Sequence, residues 1–328
     1  VEMGATHVAA ALTDLRGNVL DWKSRAHPVR TDPEGTRALV AELCDACLAS
    51  GPNGGKPLVG IGVAVPSPFD PSREDNLSSV VLPAWGGRLG LDDLRDRLDV
   101  PLLADNDANL GALAEHWWGA GQGADNMAYI KVATGIGSGH VINGEIYRGA
   151  TGVAGEIGHL SVDPQGEPCI CGLRGCLVPM VGGQALVERA AELGVEFPDS
   201  ALAGGEISIR DLEDAASAGD PLALRVVEEA AGHLGRAVAG LVNLMNPSLV
   251  VVSGDLSRLG DLLLDPLRET VKSRTLVSSV AAAEIRAGGL GPRSVAMGAA
   301  TLVLKEALED SRLFPAVGSG KAQGISGK

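Results

Sequence analysis

The chain has 328 residues, with 45 Gly, few aromatics (Trp 4, Tyr 2, Phe 3) and an ordinary globular mix of 45% hydrophobic and 21% charged residues. Asp+Glu 41 against Lys+Arg 27 leaves a formal net charge of −14, which excludes a grip on nucleic-acid phosphates or anionic lipid by this chain itself. No apolar run approaches the ~20 residues that span a bilayer, and the length points to about two domains.

In chain order, residues 1–12 read as a glycine-interrupted apolar strand that turns at Arg16-Gly17-Asn18 and returns over 19–23. Asp32-Pro33-Glu34 is a helix start, with an N-cap carboxylate followed by proline at the first helical position, and the helix runs to Ser50. Cys44 and Cys47, three apart, share its core face. Residues 57–65 form a strand buried on both sides, 91–98 a short charged helix, and 101–104 a second buried strand. Asp105-Asn106-Asp107 then caps a helix reaching Trp118. A second hairpin start follows: a strand over 127–132, a tight glycine turn over 134–139, a return to Ile142, and an Asn143-Gly144 turn into residues 145–147. Helices are expected at 181–193, 209–218 and 220–245, a buried strand at 248–253, and a last helix at 295–309. The two halves share a plan, a glycine-turned hairpin followed by alternating strands and helices. The domains read as a small α/β lobe over 1–118 and a large α/β lobe over 119–294 carrying a loop at 159–176. A helix over 295–310 returns to the small lobe, and 311–328 is a tail. Hinges fall near Gly119–Gly123 and near Arg293.

Four features carry chemistry. His159, Cys169, Cys171 and Cys176 lie within one short Gly/Pro-rich loop and match a closed tetrahedral Cys3His zinc site. The strand turns at Gly4-Ala5-Thr6 and at Thr134-Gly135-Ile136-Gly137 offer backbone N–H groups and a hydroxyl to phosphates. Four Asp or Asn side chains in five positions, Asp105 to Asn109, sit at the carboxyl end of a strand, where open α/β sheets bind ligands. A carboxylate there can take the proton of an attacking hydroxyl. Glu156 and the free ring nitrogen of a zinc-bound His159 are placed to meet ligand hydroxyls.

Thr134-Gly135-Ile136-Gly137-Ser138-Gly139, the run from Arg148-Gly149 to Gly155-Glu156-Ile157-Gly158-His159, the cysteine loop and Asn106-Asp107-Ala108-Asn109 together resemble the ROK family of repressors and sugar kinases. The resemblance spans roughly residues 1 to 310. It implies a two-lobed actin-like ATPase (ribonuclease H-like) α/β fold with a structural zinc loop, assembled as a homodimer or homotetramer. It also implies that Asp107 is the catalytic base for a sugar hydroxyl in the kinases. Asn106, Asp107, Glu156 and His159 then hold the sugar, and Gly4, Ala5, Thr6, Thr134, Gly135, Gly137 and Gly254 lie along the nucleotide phosphates. Several positions depart from the kinase pattern. Glu2 and His7 stand where the family kinases open with Asp and close with Lys, Val178 replaces a sugar-binding Glu, and Ser67 and Ser253 replace glycines.

The main expectation is therefore the sugar-sensing and oligomerising body of a ROK-type regulator. Val1 already lies inside a strand pattern with no charged leader, so a DNA-binding module is expected upstream, the only route to DNA, and the setting is expected to be cytoplasmic with reduced thiols. The alternative is an ATP- and Mg²⁺-dependent hexose kinase of the glucokinase type. The third is a zinc-stabilised scaffold without a ligand. In the first two the partner is a small sugar or sugar phosphate, and no membrane is involved.

Overall fold

Both predicted hairpins open a five-stranded sheet, and the two sheets have the same connectivity. In the first, β1 (Glu2–Met3), β2 (His7–Thr13) and β3 (Val19–Ala26) are antiparallel neighbours, while β4 (Ile61–Val65) and β5 (Leu102–Asn106) lie parallel to β1, giving the order β3-β2-β1-β4-β5. In the second, β6 (Met127–Val132), β7 (Ile136–Ile142) and β8 (Glu145–Tyr147) form the antiparallel part. There β9 (Leu249–Ser253) and β10 (Glu284–Ala287) extend parallel to β6, giving β10-β9-β6-β7-β8. This repeated mixed sheet with helices is the actin-like, ribonuclease H-like α/β fold. The computed structural model describes residues 1–50, 57–70, 73, 76–276 and 283–314. Most of the expected tail, residues 315–328, lies outside them.

The helices are α1 (Pro33–Ser50), α2 (Asp92–Leu98), α3 (Asp107–Trp118), α4 (Val178–Val181), α5 (Gly183–Leu193), α6 (Ile209–Ser217), α7 (Pro221–Met245), α8 (Asp261–Arg274) and α9 (Ser294–Glu309). Cys47 is buried in the first core and Cys44 packs at its edge, as expected of a helix face rather than a redox pair. Around the second sheet, α7 brings Leu222, Val226, Ala230, Leu234, Val238 and Val242, each four residues after the last, into the larger core. No described helix is long and apolar enough to cross a membrane.

Four expectations need correction. The strand expected over 57–65 pairs only from Ile61, because Pro57 has no N–H to give and Gly60 closes against Val303 and Pro101. The helix expected over 181–193 is broken by the extended backbone of Gly182 into α4 and α5. The glycine turn expected over 134–139 is shorter. β7 begins at Ile136, and Gly137 and Gly139 are strand residues paired with Lys131 and Tyr129. Glycine is there because a Cβ at Gly139 would meet the Ala108 carbonyl oxygen at 2.4 Å, so the two residues let α3 approach the sheet. Finally, α8 and β10 were not foreseen; an internal Pro266 and a charged composition hide the first.

Two further packing features position the site. α9 crosses back to lie on α3 and β4, and Gly62 makes this possible: a Cβ there would stand 1.7 Å from the Ala299 carbonyl oxygen. Gly62→Ala should lower stability by about 2 kcal/mol or more, read as a fall in the urea midpoint, since backbone cannot yield as a flexible side chain can. Glu115, fully buried on α3, accepts backbone N–H groups from Ala120 at 2.8 Å, Gly289 at 3.0 Å and Leu290 at 3.1 Å. One carboxylate thus ties together both connections that run between the sheets. Glu115→Leu should cost about 3 kcal/mol by orphaning those donors, again measured by urea unfolding.

Candidate functional site

The carboxyl ends of the central parallel strands converge where the sequence placed the chemistry. At the end of β5, Asp105 is 1% exposed, and its Oδ1 accepts from the Asn106 backbone N–H at 2.7 Å and from Asn109 Nδ2 at 3.0 Å. Asn106 is the N-cap of α3: its Oδ1 accepts from Ala108 N at 2.9 Å and Asn109 N at 3.2 Å. Its Nδ2 donates to Ser67 O at 3.0 Å, which leaves one amide hydrogen for a ligand. Asp107 opens the helix, and Lys131 Nζ, reaching across from β6, donates to its Oδ2 at 2.7 Å. The same ammonium lies 4.0 Å from Glu2 Oε1 on β1, and His7 Nε2 lies 3.5 Å from that carboxylate. Burial opposes the charge on Lys131, but Asp107 and Glu2 outweigh it and hold the ammonium above the ordinary lysine range. Burial likewise opposes ionisation of Glu2, and the His7 hydrogen bond with Lys131 reverses it, so Glu2 titrates below its usual value. Its second oxygen, Oε2, is buried without a partner.

The loop after β8 folds over this strand end. Arg148 Nε and Nη2 donate to Asp105 Oδ2 at 2.8 and 2.7 Å, anchoring the start of the loop. Its far end is fixed at Gly155, whose carbonyl accepts from Ser138 N at 2.9 Å. Glu156 follows, and burial, with the nearby charge of Asp107 second, pushes its carboxyl up to about 7. His159 sits at the end of a short 3₁₀ turn with Nε2 3.9 Å from Glu156 Oε2. Its Nδ1 points the other way, 3.5 Å from Cys169 Sγ. Cys171 Sγ and Cys176 Sγ are 3.6 Å apart, and the four ligand atoms all lie within 4.8 Å of one another. Thiolates held at ~2.3 Å around one tetrahedral ion are about 3.8 Å apart, so the cluster has the size of a metal site. Burial and its two cysteine neighbours push the Cys176 thiol up to about 12.

The match to known proteins agrees with this geometry: the ROK family pattern fits residues 1–306. The chain belongs to the ROK family. Among its ROK relatives, the glucokinase of Halalkalibacterium halodurans is 34% identical over 317 residues, covering 93% of this chain and 94% of that protein. The xylose repressor of Caldicellulosiruptor bescii is 28% identical, covering 94% of this chain and 78% of the repressor. A ROK glucokinase from Streptomyces griseus, solved with glucose and AMPPNP, superposes with a TM-score of 0.81 at 31% identity, covering 92% of this chain and 97% of that one.

Within this ROK chain, the four predicted metal ligands come together, and Asp107 lies close enough to Glu156 to raise it. Gly4 turns β1 into β2, and its N–H donates to His7 O at 2.8 Å; Ala5 and the exposed Thr6 form the tip. Thr134 and Gly135 are exposed at the end of β6, but Gly137 lies in β7 beside Ala108. Gly254 has φ +98° and packs where a Cβ would stand 2.2 Å from the Val132 carbonyl oxygen, at the end of β6. Val178, standing where the family has a sugar-binding Glu, turns its Cγ2 toward Gly158. An apolar cavity of about 620 Å³ lies elsewhere, between β2, α1 and α9, and includes none of these side chains. Lys131 was not foreseen. A lone cation in the apolar run Met127 to Val132 was the available signal, and strand alternation alone does not reveal its two carboxylate partners.

Proposed function

We propose that this chain is an ATP-dependent sugar kinase of the hexokinase or glucokinase type. The observation that carries the reading is Asp107, held by Lys131 at the head of α3 with Glu156 close enough to feel its charge. The glucokinase relatives, matched over nearly their whole length, support it. In this reading Asp107 accepts the proton of the attacking sugar hydroxyl, and Asn106, Glu156 and His159 orient the ring. The N–H groups around Ala5, Thr6, Thr134 and Gly135, with Gly4, Gly254 and β7's Gly137 behind them, line the phosphates. Glu2 Oε2, buried and unpartnered, fits a divalent cation or its water; Mg²⁺ supplies charge neutralisation to the transferred phosphoryl group. His159, Cys169, Cys171 and Cys176 fit zinc, which supplies a fixed anchor for the loop. His159 then presents Nε2 to the sugar side, where Glu156 already stands. We place the lobe boundaries at 118 and 294, with movement about the connections that Glu115 ties together, and the protein in the cytoplasm.

The test is direct. Purified protein with ATP, Mg²⁺ and a panel of hexoses should release ADP with at least one sugar. A regulator body is the second reading, favoured by His7, Val178 and Ser253 at positions where the family kinases carry other residues, and by the repressor relatives. Saturable sugar binding with no ADP release for any sugar would select it over the kinase.

A further inference from the structure

Lys131 belongs to the second sheet, yet its charge is spent on the first. Along β6 it is paired with Gly137 of β7 and Ser253 of β9, so small neighbours flank it on both sides and leave its stem a path toward α3. The ammonium donates to Asp107 Oδ2 at 2.7 Å and stands 4.0 Å from Glu2. The side chain is 15% exposed and that of Asp107 13%, so neither group is free to swing into solvent. Among the described residues no hydrogen-bond donor meets the other oxygen of Asp107, Oδ1.

We propose that Lys131 is the positioning residue of this site: by holding Oδ2 it turns Oδ1 of Asp107 toward the substrate hydroxyl. The inference rests on the sugar-kinase reading and assigns a role to a residue that the reading itself does not need. A carboxylate at a helix start can rotate about its terminal torsion, which has a broad, two-fold preference. One short charge-assisted bond from a cation fixed on a neighbouring sheet removes that freedom. It also sets the distance between Asp107 and the end of β6, the strand that leads into the turn at 133–135. Asp107 is thereby oriented by the same strand that delivers the phosphate turn.

The experiment compares Lys131→Met, Lys131→Arg and the double variant Lys131→Met/Asp107→Asn with wild type, using ATP, Mg²⁺ and glucose. Lys131→Met is expected to lose about 100-fold in kcat while KM for glucose moves less than about threefold, as misplacement of a base predicts. Lys131→Arg keeps a cation within reach and should recover at least about a tenth of the wild-type kcat. A Lys131→Met enzyme with kcat within about threefold of wild type overturns the proposal. So does an equal loss in both single variants that tracks a matching fall in Tm, because that pattern marks a purely structural pair. If wild type binds glucose by calorimetry but releases no ADP, the kinase reading fails and the inference, which rests on it, fails with it. A double variant no slower than Asp107→Asn alone upholds the coupling of the pair; losses in kcat that multiply overturn it. If wild type binds neither glucose nor xylose, the sugar reading falls and the inference falls with it.

Discussion

Asp107→Asn is expected to reduce sugar-dependent ADP release by at least about 10³-fold, the contribution usual for a positioned general base. The amide keeps the size of the side chain and its place at the start of α3, where Asn106 and not Asp107 provides the cap. It removes the oxygen charge that both the sugar proton and Lys131 need. The change is not silent for folding. Lys131 would be left with only Glu2 at 4.0 Å, and breaking one side of a buried ion pair costs about 3 kcal/mol. The variant should therefore melt several degrees lower and still bind glucose, because Asn106, Glu156 and His159 are untouched. Kinetics with coupled ADP detection, thermal melting and calorimetry separate these outcomes. A variant that binds glucose and turns over at the wild-type rate would remove Asp107 from the chemistry.

Removal of the metal is the second large effect. Exhaustive chelation, or Cys171→Ser, should release one zinc per chain, lower Tm by at least about 10 °C and weaken glucose binding by at least about tenfold. The reasoning is mechanical. His159 is both a ligand and the end of the 3₁₀ turn that follows Glu156, and Cys176 Sγ reaches back to the His159 carbonyl at 3.5 Å. Without an ion, three sulfurs and an imidazole nitrogen within 4.8 Å have only weak contacts to keep them together. The loop then loosens at its zinc end, although Arg148 still anchors its beginning on Asp105. Elemental analysis reports the metal and its identity, and calorimetry reports the coupling. Glucose affinity that survives complete metal loss would show that the loop does not depend on it.

Much of the fold was legible because its signals are local. Asp32-Pro33 before α1, Asp220-Pro221 before α7 and the Asn143-Gly144 turn each act through one or two residues' own backbone preferences. The Cys3His loop was legible for the same reason, since its ligands lie close in sequence. Where the reading slipped, the cause was distant. Gly137 and Gly139 looked like a turn because glycine serves turns and close approaches alike, and only the position of Ala108 on α3 distinguishes the two. The break between α4 and α5 and the internal proline of α8 are different, since Gly182 and Pro266 are local breakers whose effect, a break in one helix and none in the other, the sequence does not tell apart.

The candidate site divides in the same way. Asp107, Glu156 and the four clustered ligands could be named as candidates from residue type and spacing, because four Asp or Asn in five positions exceed what a helix cap needs and closely spaced thiols suit a metal. The orientation of those groups could not. Lys131 on Asp107, Arg148 on Asp105 and Glu115 across both inter-sheet connections join residues 24, 43 and up to 175 positions apart. By itself the sequence determined the repeated α/β plan and, through its motifs' resemblance, the family, and it offered the candidate reactive groups, since local backbone preference and side-chain chemistry suffice for the plan and the candidates. Only the tertiary structure decided which oxygen of Asp107 Lys131 holds, because ion pairs between the two halves depend on how separately built layers meet.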